Sequence, residues 1–168
     1  VELLITAALF SPGGAAIKAA QFTSWQVAGL RSGVAALAIL AFLPASRRIR
    51  PGTARITLIT AVAYAATLVL FVLANKLTTA ANTIFLQSTA PLYILLLGPL
   101  LLKETITRRD LGFMGAVALG MAFFFLGRQQ SFATAPDPFT GNLLALLSGV
   151  TYAALLLGLR FMGTRGGS

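Results

Sequence analysis

The stretch Ala80–Leu102, AANTIFLQSTAPLYILLLGPLLL, decides how the chain is read. It is uncharged and about as long as the roughly 20 apolar residues a helix needs to cross a bilayer. It nevertheless carries Asn82, Thr83, Gln87, Ser88, Thr89 and Pro91. Hydrocarbon offers polar groups no partners, so such a helix turns them toward protein or a water-filled cavity. Thr83, Gln87 and Pro91 recur at i, i+4 and i+8, which places them on one face of a helix. Pro91 has no N–H, so the carbonyl of Gln87 loses its usual helical donor. The pattern predicts one kinked helix with a side-chain amide and a freed carbonyl together at mid-membrane depth. Two readings stay open for this face: a solute pathway, or helix–helix contact around a tolerated proline.

Composition sets the class. Of 168 residues, 57% are hydrophobic and 10% are charged, against about 25% charged in a soluble domain. The expectation is an all-α integral membrane protein, with the lipid bilayer as its first partner. The net charge of +9 does not point to nucleic acid, because the basic residues are spaced between apolar runs with no basic patch interleaved with aromatics. There is no cysteine and no histidine, and the acidic residues are Glu2, Glu104, Asp110 and Asp137. No disulfide framework, metal cluster, catalytic triad or carboxylate dyad can be assembled from these, so neither an enzyme nor a cofactor is expected. A phosphate-cradling GxxxxGK[ST] loop is lacking too, which leaves ATP-driven transport unsupported. The sequence starts at Val1 without a signal-peptide pattern and is expected to be part of a longer protein.

Six apolar segments follow one another: Leu3–Ala20, Trp25–Pro44, Ile56–Ala74, Ala80–Leu102, Leu111–Gly127 and Phe139–Met162. The first and fifth are short for a full span. Arg47, Arg48, Arg50 and Arg55 lie between the second and third segments, and Lys103, Arg108 and Arg109 between the fourth and fifth. Arg160 and Arg165 close the sixth, whereas the alternate connections hold only Lys18, Lys76 and Arg128. The cation-rich side should be cytoplasmic, which puts the N-terminus inside.

Each segment has a face to explain. The first is interrupted by Pro12-Gly13-Gly14 and carries Ala7, Ser11, Ala15 and Ala19 as a small-residue stripe, suited to close packing or to an unwound stretch beside a cavity. The second begins at Trp25, has Gly29 and Gly33 at GxxxG spacing, and holds Arg31, the one charge well inside a span. Arg31 either snorkels to the interface or contacts an anionic group. The third shows Thr57, Thr60, Tyr64, Thr67, Phe71 and Asn75 on one face. After the fourth, Lys103 and Glu104 precede Thr107-x-x-Asp110, which reads as a helix cap or as a cytoplasmic gate. The fifth has Gly112, Ala116 and Gly120 on one stripe. Asp137-Pro138 signals the start of the sixth, where Gly141, Ala145, Gly149 and Ala153 recur at i+4 and Thr151 and Tyr152 are the polar handles. The candidate pathway set is therefore Ser11, Tyr64, Thr67, Thr83, Gln87, Ser88, Pro91, Thr151 and Tyr152.

The sixth segment resembles the first. Leu3-Leu4 aligns with Leu143-Leu144, Ser11 with Thr151, and Gly13-Gly14 with Ala153-Ala154 at one offset. A repeat there has five helices, and an odd number inverts the second unit in the membrane, the arrangement of many secondary transporters. The ordered set Ile17-Lys18, Leu30-Arg31, Leu86-Gln87-Ser88-Thr89-Ala90-Pro91-Leu92, Leu101–Thr107 with Leu111-Gly112, and Gly141–Leu146 resembles the EamA-type members of the drug/metabolite transporter superfamily. That resemblance implies a ten-helix fold of two inverted five-helix units (5+5), of which six helices are visible here. Residues 1–128 would be the first unit, 129–138 a loop and 139–168 the first helix of the second. It also implies movement, often export, of small organic metabolites such as amino acids across the inner (cytoplasmic) membrane. The missing unit would come from a longer chain or from a second chain, a homodimer being one way. Where the family usually has Trp-Gly in the first helix, this chain has Phe10-Ser11-Pro12-Gly13. The competing function, from a different class, is a non-transporting membrane scaffold or assembly subunit whose polar faces bind partner helices.

The cation asymmetry generates a topology prediction. In this cysteine-free chain, Gly52→Cys and Thr105→Cys should be shielded from a membrane-impermeant thiol reagent added to intact cells, and Ala133→Cys should be labelled. The reverse pattern would invert the orientation.

Overall fold

Long apolar runs without alternation leave the backbone one economical way to satisfy its own polar groups in hydrocarbon, the helix. The computed structural model describes residues 4–5, 13–42, 54–102, 107–126 and 133–166. Within them run α1 (Gly13–Ala19), α2 (Ser24–Phe42), α3 (Ala54–Leu77), α4 (Ala80–Gln87), α5 (Ala90–Leu102), α6 (Arg108–Leu126) and α7 (Pro138–Gly166). No strand forms among the described residues, and the protein is an all-α membrane protein. Among the described residues each of the six apolar segments carries helix, the fourth in two pieces. Among the described residues, four stretches are long and apolar enough to cross a membrane: Ser24–Phe42, Ala54–Leu77, Ala80–Pro99 and Pro138–Gly163.

The fourth segment corrects the expectation of one kinked helix. Thr79 caps α4, its hydroxyl accepting from Asn82 N at 3.1 Å. The helix then closes on itself before the proline: Ser88 N donates to Ile84 O at 2.9 Å and Thr89 N to Leu86 O at 3.3 Å. Two hydroxyls reinforce the stop, Ser88 Oγ to Ile84 O at 2.7 Å and Thr89 Oγ1 to Leu86 O at 2.6 Å. Short hydroxyl side chains compete with the backbone for these carbonyls and favour a turn over a continued helix. Pro91 falls in the first turn of α5, where a missing N–H costs little.

The last helix, α7, is the centre of the packing. It contacts α3 most extensively, then α4 and α5. Its small-residue stripe is what faces them: Gly141 and Gly149 are buried, and Ala145 and Ala153 are fully so. A Cβ at 141 would stand 2.7 Å from Thr78 N and 2.9 Å from the Leu77 carbonyl carbon, so α7 lies directly against the α3–α4 connection. A Cβ at 149 would stand 3.2 Å from Leu86 O and 3.4 Å from Gln87 O. At Gly158 it would collide with the Thr60 hydroxyl. The other stripes differ. Nothing among the described residues comes within 4 Å of a Cβ at Gly29, Gly33 or Gly112, and Gly120 meets only the Phe85 ring at 3.7 Å. A small-residue face permits close approach but does not compel it.

The chain ends of the helices are tied by polar groups. Lys18 Nζ donates to Thr78 O at 2.7 Å and also to Thr134 O. Lys76 Nζ donates to Ala20 O at 2.6 Å, and Asp137 N to Leu77 O at 3.1 Å. These bonds gather the ends of α1 and α3 and the starts of α4 and α7 at one end of the bundle. Thr107 and Asp110 form the reciprocal cap of α6: Thr107 N donates to Asp110 Oδ2 at 2.8 Å and Asp110 N to Thr107 Oγ1 at 3.4 Å. Bonds from Thr107, backbone first, hold the Asp110 carboxyl below the usual carboxylate range, and bonds from Thr140 do the same for Asp137. Both groups therefore favour the capped helix start above the ordinary carboxylate pKa and lose that contribution as pH falls through their lowered values.

Gly141→Ala should destabilise the protein by about 1–3 kcal/mol, the usual range for overpacking, because its neighbours are backbone atoms that cannot rotate away. Gly29→Ala, with open space around it, should be near neutral. Thermal unfolding of the two variants in detergent checks the difference.

Candidate functional site

The polar face of α3 divides into two uses. Thr60, Thr67 and Asn75 are buried, and each donates to the preceding turn: Thr60 Oγ1 to Ile56 O at 2.8 Å, Thr67 Oγ1 to Ala63 O at 2.7 Å, and Asn75 Nδ2 to Phe71 O at 3.1 Å. Tyr64 and Phe71, on the same face, stand beside a cavity of about 960 Å³ that Thr67 also reaches. Arg31 of α2, Gln87 and Ser88 at the α4–α5 break, and Tyr152 of α7 complete its polar lining. Gly13 and Gly14 of α1 form another wall, and Leu68, Ile84 and Ile17 supply apolar surface. The volume lies within the ~300–1,000 Å³ range of small-molecule sites, and a mostly apolar wall with a few convergent polar groups is their usual chemistry.

A hydrogen-bonded chain holds the wall between α3, α4 and α7. Gln87 Nε2 donates to Ser148 Oγ at 2.9 Å, and Ser148 Oγ donates to Thr67 O at 3.4 Å. Thr67 Oγ1 and Thr151 Oγ1 are 2.9 Å apart, and Thr151 Oγ1 also reaches Ser148 O at 3.0 Å. Because the Ser148 proton points at Thr67 O, its oxygen is free to accept, and this fixes the Gln87 amide with nitrogen toward α7. Gln87 Oε1 then has no hydrogen bond among the described residues. Among the described residues, half-buried Arg31 makes no hydrogen bond or ion pair and no acidic side chain lines the cavity. No group of three or more Asp, Glu, His or Cys able to hold a metal occurs among the described residues.

The structure thus gathers Arg31, Tyr64, Thr67, Gln87, Ser88 and Tyr152 around one cavity. Thr151 stands behind the wall, bonded to Thr67. Thr83 is fully buried on α4, its hydroxyl donating to Thr79 O at 3.1 Å, and Pro91 is exposed on α5; neither lines the cavity. Thr107 and Asp110 make the α6 cap, while Ser11, Lys103 and Glu104 lie outside the described residues. Sequence reasoning missed Ser148. It sits three residues after Ala145 on the packed stripe of α7, and a hydroxyl on such a face is a sign of a cross-helix bond. It also missed a buried amide cluster: Thr78 Oγ1 donates to Asn142 Oδ1 at 2.8 Å, and Asn82 Nδ2 reaches both oxygens at 3.3 Å. Asn75 Oδ1 and Asn142 Nδ2 are buried without a partner among the described residues.

Helices long enough to span a bilayer, beside a partly polar cavity of small-molecule size, define an all-α membrane protein. A model of the EamA-like transporter family matches residues 2–126, and the chain belongs to that family of membrane transporters for small molecules. No curated protein and no solved structure matches the chain.

Gln87→Leu should lower stability by about 1–3 kcal/mol, because it leaves the buried Ser148 hydroxyl without its donor. Ser148→Ala in the same protein should recover part of that loss. A double-mutant cycle on unfolding in detergent should return a coupling of ~1 kcal/mol, and additivity would mean that the bond contributes nothing.

Proposed function

We propose that the chain forms the solute path of a secondary transporter that exports small organic metabolites, amino acids among them, across the cytoplasmic (inner) membrane. The observation that carries this reading is the position of the cavity lining. Tyr64, Ser88 and Tyr152 fall near the middle of the spans Ala54–Leu77, Ala80–Pro99 and Pro138–Gly163. Polar groups at that depth with space beside them are the arrangement expected of a transport site. Residues 1–128 act as the first five-helix unit and 139–168 begin an inverted second unit, with 129–138 as the link. Tyr64 and Tyr152 remain 45% and 37% exposed, and the second unit, from a longer chain or from a second copy in a homodimer, covers that side. The N-terminus is cytoplasmic in this arrangement.

Two measurements test the proposal. Tyr64→Cys and Tyr152→Cys should react with a small hydrophilic thiol reagent in membranes, whereas Leu37→Cys and Leu58→Cys, on strongly exposed apolar positions, should stay protected by lipid. In cells overproducing the protein, Tyr64→Ala and Tyr152→Ala should each lower metabolite efflux about fivefold, the equivalent of one ~1 kcal/mol contact. Protection of both tyrosine positions together with unchanged efflux would refute the assignment.

A further inference from the structure

The cavity has a charge that none of the described residues answers. A guanidinium offers five N–H donors and a full positive charge. Within a span such a group normally faces a counter-charge, backbone carbonyls or water. Arg31 lies six residues, about 9 Å along the helix, from Trp25, whose 68% exposure marks it as an interfacial anchor. Yet Arg31 lines the cavity with Tyr64, Gln87 and Tyr152, and no hydrogen bond or ion pair engages it among the described residues. Lys18 and Lys76 behave differently, since both donate to backbone carbonyls.

The rest of the lining states the chemistry of the missing partner. No carboxylate lines the cavity among the described residues, so an organic cation would meet one like charge and no counter-charge from them. The rings of Tyr64, Phe71 and Tyr152 offer flat apolar surface, and the hydroxyls of Tyr64 and Tyr152 can donate, whereas that of Ser88 already donates to Ile84 O. We propose that Arg31 is the charge-selective anchor of this cavity and that its ligand is an organic oxyanion, a carboxylate on a flat apolar body. The inference rests on the transport path proposed above and adds its substrate class. The planar fork of arginine binds both carboxylate oxygens at once, which a lysine cannot reproduce. An attraction of this kind strengthens as water is excluded around the pair. Lipid phosphate is the other source of an oxyanion for Arg31, and the test must separate the two.

The full chain would be purified in detergent and reconstituted into vesicles of phosphatidylcholine alone or with phosphatidylglycerol. Equilibrium dialysis would compare benzoate with benzamide and phenylpropionate with its amide. Each acid should bind about tenfold or more tightly than its amide, as expected for hydrogen bonds to a charged group, and equally in both vesicle types. Arg31→Gln should abolish the preference and Arg31→Lys should keep part of it. In the unaltered protein, benzoate but not benzamide should slow phenylglyoxal modification of Arg31, read by mass spectrometry, so the test does not depend on a variant folding. No preference in either pair, whether from equal binding or from none, overturns the proposal. So does a preference that survives Arg31→Gln, or an Arg31→Gln effect confined to retention of anionic lipid. Amide flux that depends on Tyr64 and Tyr152 without any acid preference leaves the path standing and overturns the anchor. An Arg31-dependent acid preference without flux supports the anchor and overturns the path.

Discussion

The contact of α7 with the α3–α4 connection is the constraint on which the rest of the structure depends. With Gly141 against the backbone of Thr78 and Gly149 against the last carbonyls of α4, three helices come close enough for short side chains to bridge them. Only then can Ser148 reach both Gln87 and the Thr67 carbonyl, and Thr151 reach Thr67. In hydrocarbon the hydrophobic effect does not drive helices together, so close van der Waals contact and cross-helix hydrogen bonds carry the association. Here they occupy one seam, and the cavity lies beside it at Thr67, Gln87 and Tyr152.

Polar groups in the spans sort by what satisfies them. Thr60, Thr67 and Thr83 bond their own preceding turns and so cost little to bury. Ser88 and Thr89 use the same chemistry at the end of α4, where it stops the helix. The site therefore owes its shape to a local competition: the hydroxyl and N–H of Thr89 take the Leu86 carbonyl that a longer helix would have used, and the broken end of α4 presents Gln87 and Ser88 to the cavity.

Much of this was legible in the sequence. Continuous apolar runs gave the helices, the three-and-four spacing gave the face of α3 that reaches the cavity at Tyr64, Thr67 and Phe71, and the i+4 stripe of α7 marked the packed seam. What was illegible required knowing where one axis ends. The alignment of Thr83, Gln87 and Pro91 assumed a single helix, but Pro91 belongs to α5 and a different axis, while Thr83 sits one turn below Gln87, where neighbours cover it. Equal stripes at Gly29 and Gly33 and at Gly112 were equally visible and are not packed by the described residues. Spacing shows which residues share a face; which faces meet depends on the whole set of helices.

The distribution of cations adds a last step. Lys18 and Lys76 lie at the ends of α1 and α3, where helix C-termini leave carbonyls without donors, and each takes up such oxygens. Their charge is absorbed by helix ends, and their role is explained by stability alone. Arg31 sits well inside α2, away from either terminus, so no orphan carbonyl of its own helix is within reach of that explanation. α2 is also the most weakly embedded of the spans, with Ala28 buried while Leu30, Val34, Leu37 and Leu40 face outward. A buried cation that stabilised packing would be expected on a well-packed helix with a partner across the interface. On a loosely held helix at the edge of a cavity, a guanidinium without a partner among the described residues is accounted for by the anchor role proposed above, through what enters the cavity.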